Sequence, residues 1–396
     1  MEEEKLQKIY KYVMIIAITA FITFLITGIC MSNYYTGGSL KESNTQSSLN
    51  SIKSIIDKYY LGEVDEQKLT EGAIKGYVEG LDDPYSEYIS ADEMEEYKTQ
   101  LLGNYVGIGI YMIENKDYNL IQVLSPIKES PADEAGILPG DLIESIDGVE
   151  YTAEEMTTAA NKIKGEEGTK VKLVVLRDNK ELEFELTRRT VNTNPIEEEV
   201  LENNIGYLEI SSFDQGTANE FKTKFEDLEK SGIKGLIIDL RNNGGGIVSE
   251  ALQIADYIAE KGSTLLITVD KNNNEKISKS EKKPIINMPV VVLVNENTAS
   301  ASEILAGALK DLNKATIIGT KTYGKGVIQQ IMTLTNGAGL KLTIEEYFTP
   351  NRNKINKIGI EPDEVVELPE SVKNVLLLER KDDTQLDRAI EILKVE

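Results

Sequence analysis

The segment NENTASASEI, residues 295–304, places a serine where the apolar run PVVVLV gives way to a helical pattern. Ser300 and Glu303 fit the capping box S-x-x-E, in which the serine only caps the helix. A serine at a strand-to-helix turn also lies beside the N–H groups of the first helical turn, which can stabilise an oxyanion as they do in nucleophile elbows. Ser300 is therefore a candidate nucleophile, with an ordinary N-cap as the alternative.

A base for Ser300 cannot be histidine, because the 396-residue chain contains none. The same absence excludes HExxH zinc sites. Lys325 lies in GTKTYGKGVIQQ, residues 319–330, a near match to the P-loop pattern G-x-x-x-x-G-K-[ST]. The match fails because Gly326 replaces the hydroxyl residue, and because VIQQIMTLT alternates like a strand where a P-loop needs a helix. Lys325 is either a surface lysine beside a glycine turn or a general base whose pKa burial lowers from about 10.4 towards neutrality.

A third loop, LRNNGGG, follows the strand-like run GLIIDL and precedes a helical pattern. Its glycines would let backbone N–H groups point into a cleft, although strand-to-helix turns commonly need a glycine for the turn itself. From about residue 191 short aliphatic runs alternate with helical patterns, which predicts buried strands in a sheet flanked by helices. Such a scaffold supports many chemistries, so the loops must decide the function.

Composition narrows the function classes. The chain has 43 basic and 67 acidic residues, a formal net charge of −24. That charge repels phosphate backbones and argues against general nucleic-acid binding. A single cysteine, Cys30, excludes an internal disulfide framework.

The segment 13–31, VMIIAITAFITFLITGICM, is uncharged and apolar. Its length is close to the roughly 20 residues that cross a bilayer as a helix. Lys5, Lys8 and Lys11 precede it, so the positive-inside rule places the chain after about Ser32 outside the cytoplasm. A cleaved signal peptide is the alternative, although no A-x-A-like site follows. We expect a retained single-pass anchor in the cell membrane.

Two regions of the chain outside the anchor have distinct sequence patterns. LNSIKSIIDKYY and LTEGAIKGYVEGL carry apolar residues at helical spacing and predict a small helical domain that ends near DDPYSEYIS, with a role in packing or oligomerisation. SPADEAGILPGDLIESIDGVEY, residues 130–151, resembles the helix-turn-strand signature of PDZ domains.

The PDZ resemblance implies a site for a polypeptide C-terminus. It makes Val106, Gly107, Ile108 and Gly109 the carboxylate-binding loop, next to a strand edge that accepts an extended peptide. Lys164 stands where similar proteins often have arginine, and it is assigned to peptide contacts. The alternative is that these glycines serve only tight turns.

Together the three loops resemble the carboxyl-terminal processing peptidases, serine proteases of the S41 family with a Ser/Lys dyad and an inserted PDZ domain. TASASEI is similar to the nucleophile segment, YGKGVIQ to the lysine segment, DLRNNGGG to the glycine loop and YFTPNRNKINKIGIEPD to a late segment. The resemblance implies no metal or other cofactor. The roles that it implies are nucleophile for Ser300, general base for Lys325, lysine-orienting residue for Gln329, and oxyanion donors for Ala301 N–H and one N–H of Gly245 or Gly246.

Lys325 and Gln329 would face the same way if both lie in one strand, which would let the Gln329 amide reach the lysine. We expect Ser302 and Glu303 to be structural residues of the helix start.

The predicted fold class is an α/β, membrane-anchored multidomain chain with an N-terminal helical segment, a mixed β/α PDZ domain and an α/β serine protease core. The predicted domains are a cytoplasmic tail and anchor (1–33), a linker and helical domain (34–92), a PDZ domain (93–190), the protease core (191–370) and a C-terminal helical segment (371–396).

The predicted function is that of an extracytoplasmic endopeptidase that cuts proteins near their C-termini after PDZ capture of the tail. By family resemblance, an empty PDZ domain would misalign the dyad and a bound peptide would restore it. The alternative is a catalytically silent, anchored PDZ adaptor. A homodimer built from the 48–92 helices and DTQLDRAIEIL, residues 383–393, is a further hypothesis, and packing of that segment within one chain is equally compatible.

Overall fold

A computed structural model describes residues 42–395 except 102–103, 116–117, 128, 193–195, 370–371 and 373–377, together with a few isolated positions between 14 and 27. The chain divides into two compact units, residues 1–73 and 74–396. The predicted membrane span at 13–31 lies largely outside the described residues. Among the residues that are described, no helix is both long and apolar enough to cross a bilayer.

The helices expected after the linker are present. Helix α1 runs from Glu42 to Tyr59, and helix α2, Glu66–Glu79, crosses the boundary between the two units. Leu49, Ile52 and Ile55 follow the helical spacing of the sequence, and all three are exposed. A short strand β1, Glu87–Ile89, and helix α3, Ala91–Leu101, come next.

The PDZ domain is built on a sheet with strand order β3-β4-β5-β7-β8, in which β6 pairs with β5, and β2 pairs separately with β9. Its core includes Ile121, Ile143 and Leu173, which are fully buried. Its elements are β2 Asn104–Gly107, β3 Ile110–Asn115, β4 Leu120–Pro126, α4 Pro131–Ala135, β5 Leu142–Ile146, β6 Val149–Glu150, α5 Met156–Ile163, β7 Lys170–Arg177, β8 Lys180–Thr187 and β9 Arg189–Asn192.

The signature segment of this domain folds as its residue types dictate. Ser130 caps α4 by accepting the N–H of Asp133, and Gly136 ends the helix in the left-handed conformation, with φ 80°. Asp141 is buried and forms an ion pair with Arg177 at 2.6 Å, which ties the end of the turn to strand β7.

The α/β core predicted for residues 191–370 contains a sheet of order β10-β11-β12-β15-β16-β19, parallel from β11 onwards. Its central strands β12 and β15 are buried along their whole length, as expected for parallel strands with helices on both faces. Its elements and connecting helices are β10 Ile196–Leu201, β11 Ile205–Ile210, α6 Thr217–Lys230, β12 Gly235–Asp239, α7 Val248–Ile258, β15 Val290–Val294, α8 Ala301–Asp311, β16 Thr316–Gly319, β19 Glu364–Val365 and α9 Thr384–Val395.

Alternate residues of each central strand face opposite layers. Leu236 and Ile238 pack into the core that contains α6, α7 and α8, whereas Ile237 joins the core beneath α9. Helix α9 belongs to the segment proposed for a dimer, and its apolar residues Leu386 and Ile390 are buried within this chain.

A second sheet of the core carries part of the site. Its order is β1-β18-β13-β14, with β17 also paired to β18. Strand β1 is antiparallel to β18 and places Glu87 opposite Lys341. The strands are β13 Thr264–Asp270, β14 Glu275–Lys279, β17 Val327–Thr333 and β18 Gly339–Phe348.

Candidate active site

Three loops meet at one edge of the parallel sheet. β12, β15 and β16 are neighbouring parallel strands. The glycine loop (240–247) follows β12, the serine turn (295–300) follows β15, and the lysine loop (320–326) follows β16. Because the carboxyl ends of parallel strands share one edge, the three loops suggested by the sequence lie side by side in the crevice where α/β sheets commonly bind ligands.

Ser300 has a strained backbone. Its φ is 57° and its ψ −117°, whereas an N-cap residue normally lies in the β region. A positive φ in a residue other than glycine is uncommon and is often found at functional sites. This conformation suits a nucleophile elbow, in which a sharp strand-to-helix turn presents the hydroxyl. Ser300 therefore begins α8 without being an ordinary N-cap.

Gly245 lies directly against the serine turn. Its φ is +102°, and a Cβ at this position would lie 2.8 Å from Ser300 Cβ and 2.9 Å from Ala301 N. Only glycine combines that conformation with so close an approach. The Gly245 N–H donates to Asn243 Oδ1 at 2.8 Å. Within the described part of the chain, the N–H groups of Ala301 and Gly246 make no hydrogen bond.

Asn243 joins the glycine loop to the helix that follows Ser300. Its buried side chain donates to Ile210 O at 2.7 Å, and its carbonyl oxygen accepts from Ala299 N and Ser302 Oγ, both at 3.0 Å. Ser302 is thus structural, as expected. Asn242 and Asn295 add a reciprocal pair of hydrogen bonds between the same two loops, at 2.9 and 2.8 Å.

Glu303 joins the serine turn to the lysine loop. Its side chain is fully buried, and its carboxylate accepts from Ser300 N (3.0 Å), Thr322 Oγ1 (2.6 Å), Gly324 N (2.7 Å) and Lys325 N (2.8 Å). Burial raises the pKa of Glu303, and these four hydrogen bonds oppose the rise. Three of the donors are backbone N–H groups, which can only donate, so the arrangement favours an ionised carboxylate.

Tyr347 makes a second link between the two loops. Its hydroxyl donates to the carbonyl oxygens of Lys325 at 2.6 Å and Ser300 at 3.0 Å. Burial raises the pKa of Tyr347 well above its ordinary value, so the phenol keeps the proton that it donates.

Lys325 is half-buried, with its Nζ 4.7 Å from the centre of the Tyr85 ring. Burial lowers the pKa of Lys325, and the charge of Lys341 lowers it further; Asp83 and Glu303 act in the opposite direction. The net direction is the one a lysine base requires. No hydrogen bond joins Lys325 Nζ to Ser300 Oγ among the described residues.

Gln329 is not placed as the strand pattern suggested. β17 begins at Val327, two residues after Lys325, and its pairing with β18 is irregular between Ile328 and Gln329. The alternation of side chains therefore does not extend from Lys325 to Gln329. The Gln329 Nε2 instead donates to Thr343 Oγ1 at 3.2 Å.

The segment before β1 contributes residues that the sequence analysis did not assign to the site. Asp83 is hydrogen-bonded to Ser86 Oγ at 2.5 Å and receives a hydrogen bond from Thr343, which also binds Gln329. Tyr85 covers Lys325. The stretch DDPYSEYIS predicts only a polar turn. No pattern within it indicates contact with residues so much later in the chain.

Comparison with known proteins decides the family. The carboxy-terminal processing protease CtpA of Bacillus subtilis is 35% identical over 367 residues, which cover 92% of this chain and 78% of that protein. The chain belongs to peptidase family S41. A probable CtpA-like serine protease of Staphylococcus aureus strain COL is 34% identical and covers 91% of this chain and 73% of its own length.

Family models and a solved structure agree with this assignment. The model of peptidase family S41 matches residues 204–366, a PDZ model matches 122–177, and the model described as the N-terminal domain of the activating protease CtpB matches 31–93. A photosystem II D1 C-terminal processing protease is 29% identical with a TM-score of 0.52, over 84% of this chain and 91% of that one. This S41 peptidase is thus a serine peptidase of the carboxy-terminal processing group.

A groove of about 560 Å³ in this S41 peptidase lies between β3 and α5 of the PDZ domain. β3 is the terminal strand of its sheet in the described structure, so its outer edge can pair with an added strand. Lys164 lines the groove from the end of α5. Tyr88 and Glu93, from β1 and α3, line its other side, outside the PDZ domain.

The predicted carboxylate-binding loop directly precedes β3, whose residues Ile110, Tyr111 and Met112 line the groove. Val106 and Gly107 end β2, and Ile108 and Gly109 connect it to β3. Ile108 is fully buried in the domain core. Gly109 has φ +78°, and a Cβ there would lie 2.2 Å from Ser130 Cβ, so this glycine is required by the turn itself.

Proposed function

We propose that this peptidase cleaves proteins near their C-termini through a Ser300/Lys325 dyad after its PDZ domain captures the tail. The observation that carries the proposal is the buried Glu303 carboxylate, which accepts the backbone N–H groups of both Ser300 and Lys325. One ionised side chain thus fixes the two loops relative to each other. A nucleophile and a base on separate loops need such a link to act together.

The chemistry follows from these positions. Neutral Lys325 would take the proton of Ser300 Oγ as the oxygen attacks the scissile carbonyl carbon. The oxyanion would accept the N–H of Ala301, with a second N–H from the glycine run. Lys325 would then give its proton to the leaving amine, so that the peptide bond breaks and an acyl-Ser300 ester remains. A water molecule, deprotonated by Lys325, would attack that ester; the bond to Ser300 Oγ then breaks, the acid leaves, and Lys325 returns the proton to Ser300 Oγ.

The conformation described here is a resting one for this chemistry. Lys325 Nζ lies over the Tyr85 ring, and among the described residues no hydrogen bond joins it to Ser300 Oγ, so the amine and the hydroxyl must come within hydrogen-bond reach in the productive state. Catalytic hydrogen bonds often form only in the substrate complex. The Gly245 N–H can join the oxyanion hole only after it leaves or shares Asn243 Oδ1, whereas the Gly246 N–H has no acceptor to lose.

The groove between β3 and α5 supports a role in recognising tails. A peptide added to the β3 edge would extend its side chains alternately towards the groove, with Val106, Gly107, Ile108 and Gly109 at its carboxylate end. Lys164 would supply a positive charge near the bound peptide. Protein or peptide C-termini are the substrates that this arrangement fits.

The proposal places the catalytic part outside the cytoplasm, on a retained single-pass anchor at 13–31 preceded by three lysines. The predicted domain boundaries and the homodimer through the 48–92 helices belong to the same proposal. The apolar side chains of α1, which are exposed, are available to a dimer contact.

The test is cleavage of an unfolded protein with a free C-terminus by the full-length chain in detergent. Ser300→Ala and Lys325→Ala should each abolish cleavage while tail binding persists. Lys321→Ala, an exposed lysine of the same loop, serves as the matched control and should cleave normally. Cleavage by Lys325→Ala would contradict the Ser300/Lys325 dyad. A parent chain that binds tails but never cleaves them would favour the silent adaptor.

A further inference from the structure

Tyr85 forms one wall of the space around the Lys325 amine. Its ring centre is 4.7 Å from Lys325 Nζ. Tyr85 comes from the turn before β1, outside the three loops at the sheet edge. A tyrosine ring at this distance has two opposing effects on an amine, because it attracts the charged form through its face and it excludes water that would solvate that charge.

The position of Tyr85 is fixed by the surrounding backbone. Its N–H donates to Asp83 Oδ1 at 3.2 Å, and the neighbouring Ser86 Oγ accepts the N–H of Thr343 at 3.1 Å. The next residues form β1, paired to β18, and Tyr88 is buried.

The charged groups around Lys325 come from several elements. Asp83 lies in the same turn as Tyr85, Glu303 comes from α8 and Lys341 from β18. The two carboxylates favour the ammonium form, and Lys341 opposes it. Tyr85 adds a wall without adding a negative charge, because burial raises the pKa of its phenol and keeps it neutral.

We propose that Tyr85 is a positioning residue for Lys325, whose ring keeps water from the amine and thereby holds the lysine ready to act as a base. The inference rests on the proposed role of Lys325 in the dyad. Attraction to a partly exposed ring changes a lysine pKa by less than about one unit. Loss of solvation lowers a lysine pKa by up to about 3–5 units when burial is complete, and burial is also the largest cause of the lowered pKa of the half-buried Lys325. We therefore expect exclusion of water to outweigh attraction to the ring.

The experiment measures kcat/KM against pH for the full-length chain acting on an unfolded peptide with a free C-terminus, which the PDZ groove can capture. Tyr85→Ala should move the midpoint of the rising limb upwards by about one pH unit and lower neutral activity about tenfold, with recovery at high pH. Tyr85→Leu, which keeps an apolar wall, should keep the parental midpoint or a lower one, and Tyr85→Phe should match the parent. Tyr118→Ala, an exposed tyrosine of the PDZ domain, is the control.

The outcomes separate this inference from the proposed function. If Lys325→Ala keeps its activity, the proposed role of Lys325 in the dyad is wrong. An inactive Lys325→Ala together with a parental midpoint in Tyr85→Ala would overturn only the role of Tyr85. A loss in Tyr85→Ala that is equal at every pH would also overturn it, since a purely structural role predicts that result. If Tyr85→Ala does not fold, the Leu variant decides: a midpoint above the parent's would contradict exclusion of water as the cause.

Discussion

The Glu303 carboxylate accepts the backbone N–H of Lys325 at 2.8 Å, although Glu303 lies in α8 and Lys325 in the lysine loop. The same oxygen accepts the N–H of Ser300 at 3.0 Å. An ionised carboxylate in a buried site costs free energy unless each lone pair finds a donor, and here each does. Glu303 therefore holds the geometry of the site without reaching a substrate.

Replacement of Glu303 by glutamine should disrupt this link. The amide keeps the shape but presents an NH₂ group to donors that need an acceptor, so buried N–H groups lose partners. We expect a loss of roughly 2–4 kcal/mol in the free energy of unfolding and a fall in kcat of at least about tenfold. Urea unfolding and steady-state kinetics measure the two effects. Glu296→Gln, an exposed residue of the serine turn that binds Thr320, should change neither, and equal behaviour of the two variants would contradict the role of Glu303.

Gly245 and Gly244 form a matched pair for testing the glycine loop. Gly245→Ala forces a Cβ to within 2.8 Å of Ser300 Cβ at a φ of +102°, whereas a Cβ at Gly244 meets nothing within 4 Å. We expect Gly245→Ala to lower kcat by about a hundredfold or more, since one displaced oxyanion donor costs that much. Gly244→Ala should stay within about threefold of the parent. Comparable losses in both would show that the loop tolerates no side chain at all, contrary to this packing.

Lys341 should tune the pH dependence of the reaction. Its positive charge lowers the pKa of Lys325, and the base must be neutral, so activity rises with pH through that pKa. Lys341→Met breaks the ion pair with Glu87 at 2.8 Å and removes the like charge, which favours the ammonium form of Lys325. The rising limb of kcat/KM should move upwards by up to about one pH unit. Lys354→Met, which breaks an exposed pair with Glu346, should leave the limb unchanged, and a downward shift in Lys341→Met would reverse the argument.

Much of the core could be predicted because buried parallel strands are continuous apolar runs. VVVLV and GLIID are strands, and the loops after them hold Ser300 and Gly245 as the sequence indicated. The strained φ of Ser300 could not be predicted from its capping-box pattern, because a glutamate at position 303 is compatible with an ordinary capping box and with a nucleophile elbow. Its bonds to Gly324 and Lys325 depend on the meeting of two loops, which no local pattern encodes.

Lys325 lies outside β17, the strand that contains Gln329, and the reason is physical. Gly326 packs so closely on Asn356 that a Cβ would lie 2.1 Å from Asn356 N. This contact holds Lys325 and Gly326 outside the strand. The irregular pairing at Ile328 then breaks the two-residue period on which the link from Lys325 to Gln329 relied. Contacts of this kind, like that of Tyr85 with Lys325, arise only from the tertiary fold.

Glu209, at the end of β11, should make stability fall as pH rises. Burial, with the charges of Asp239 and Glu197, raises the pKa of Glu209 to about 7. The unfolded chain releases this proton near pH 4.3, so between about pH 4.5 and 7 the folded state binds more protons and loses stability with increasing pH, by up to about 3 kcal/mol. Glu209→Gln should therefore unfold at higher urea than the parent at about pH 8, and at nearly the same urea at about pH 5. Glu199→Gln, an exposed neighbour on β10, should show no such pH-dependent difference. A Glu209→Gln variant that is destabilised equally at both pH values would mean that the carboxyl group is ionised and paired in the folded protein.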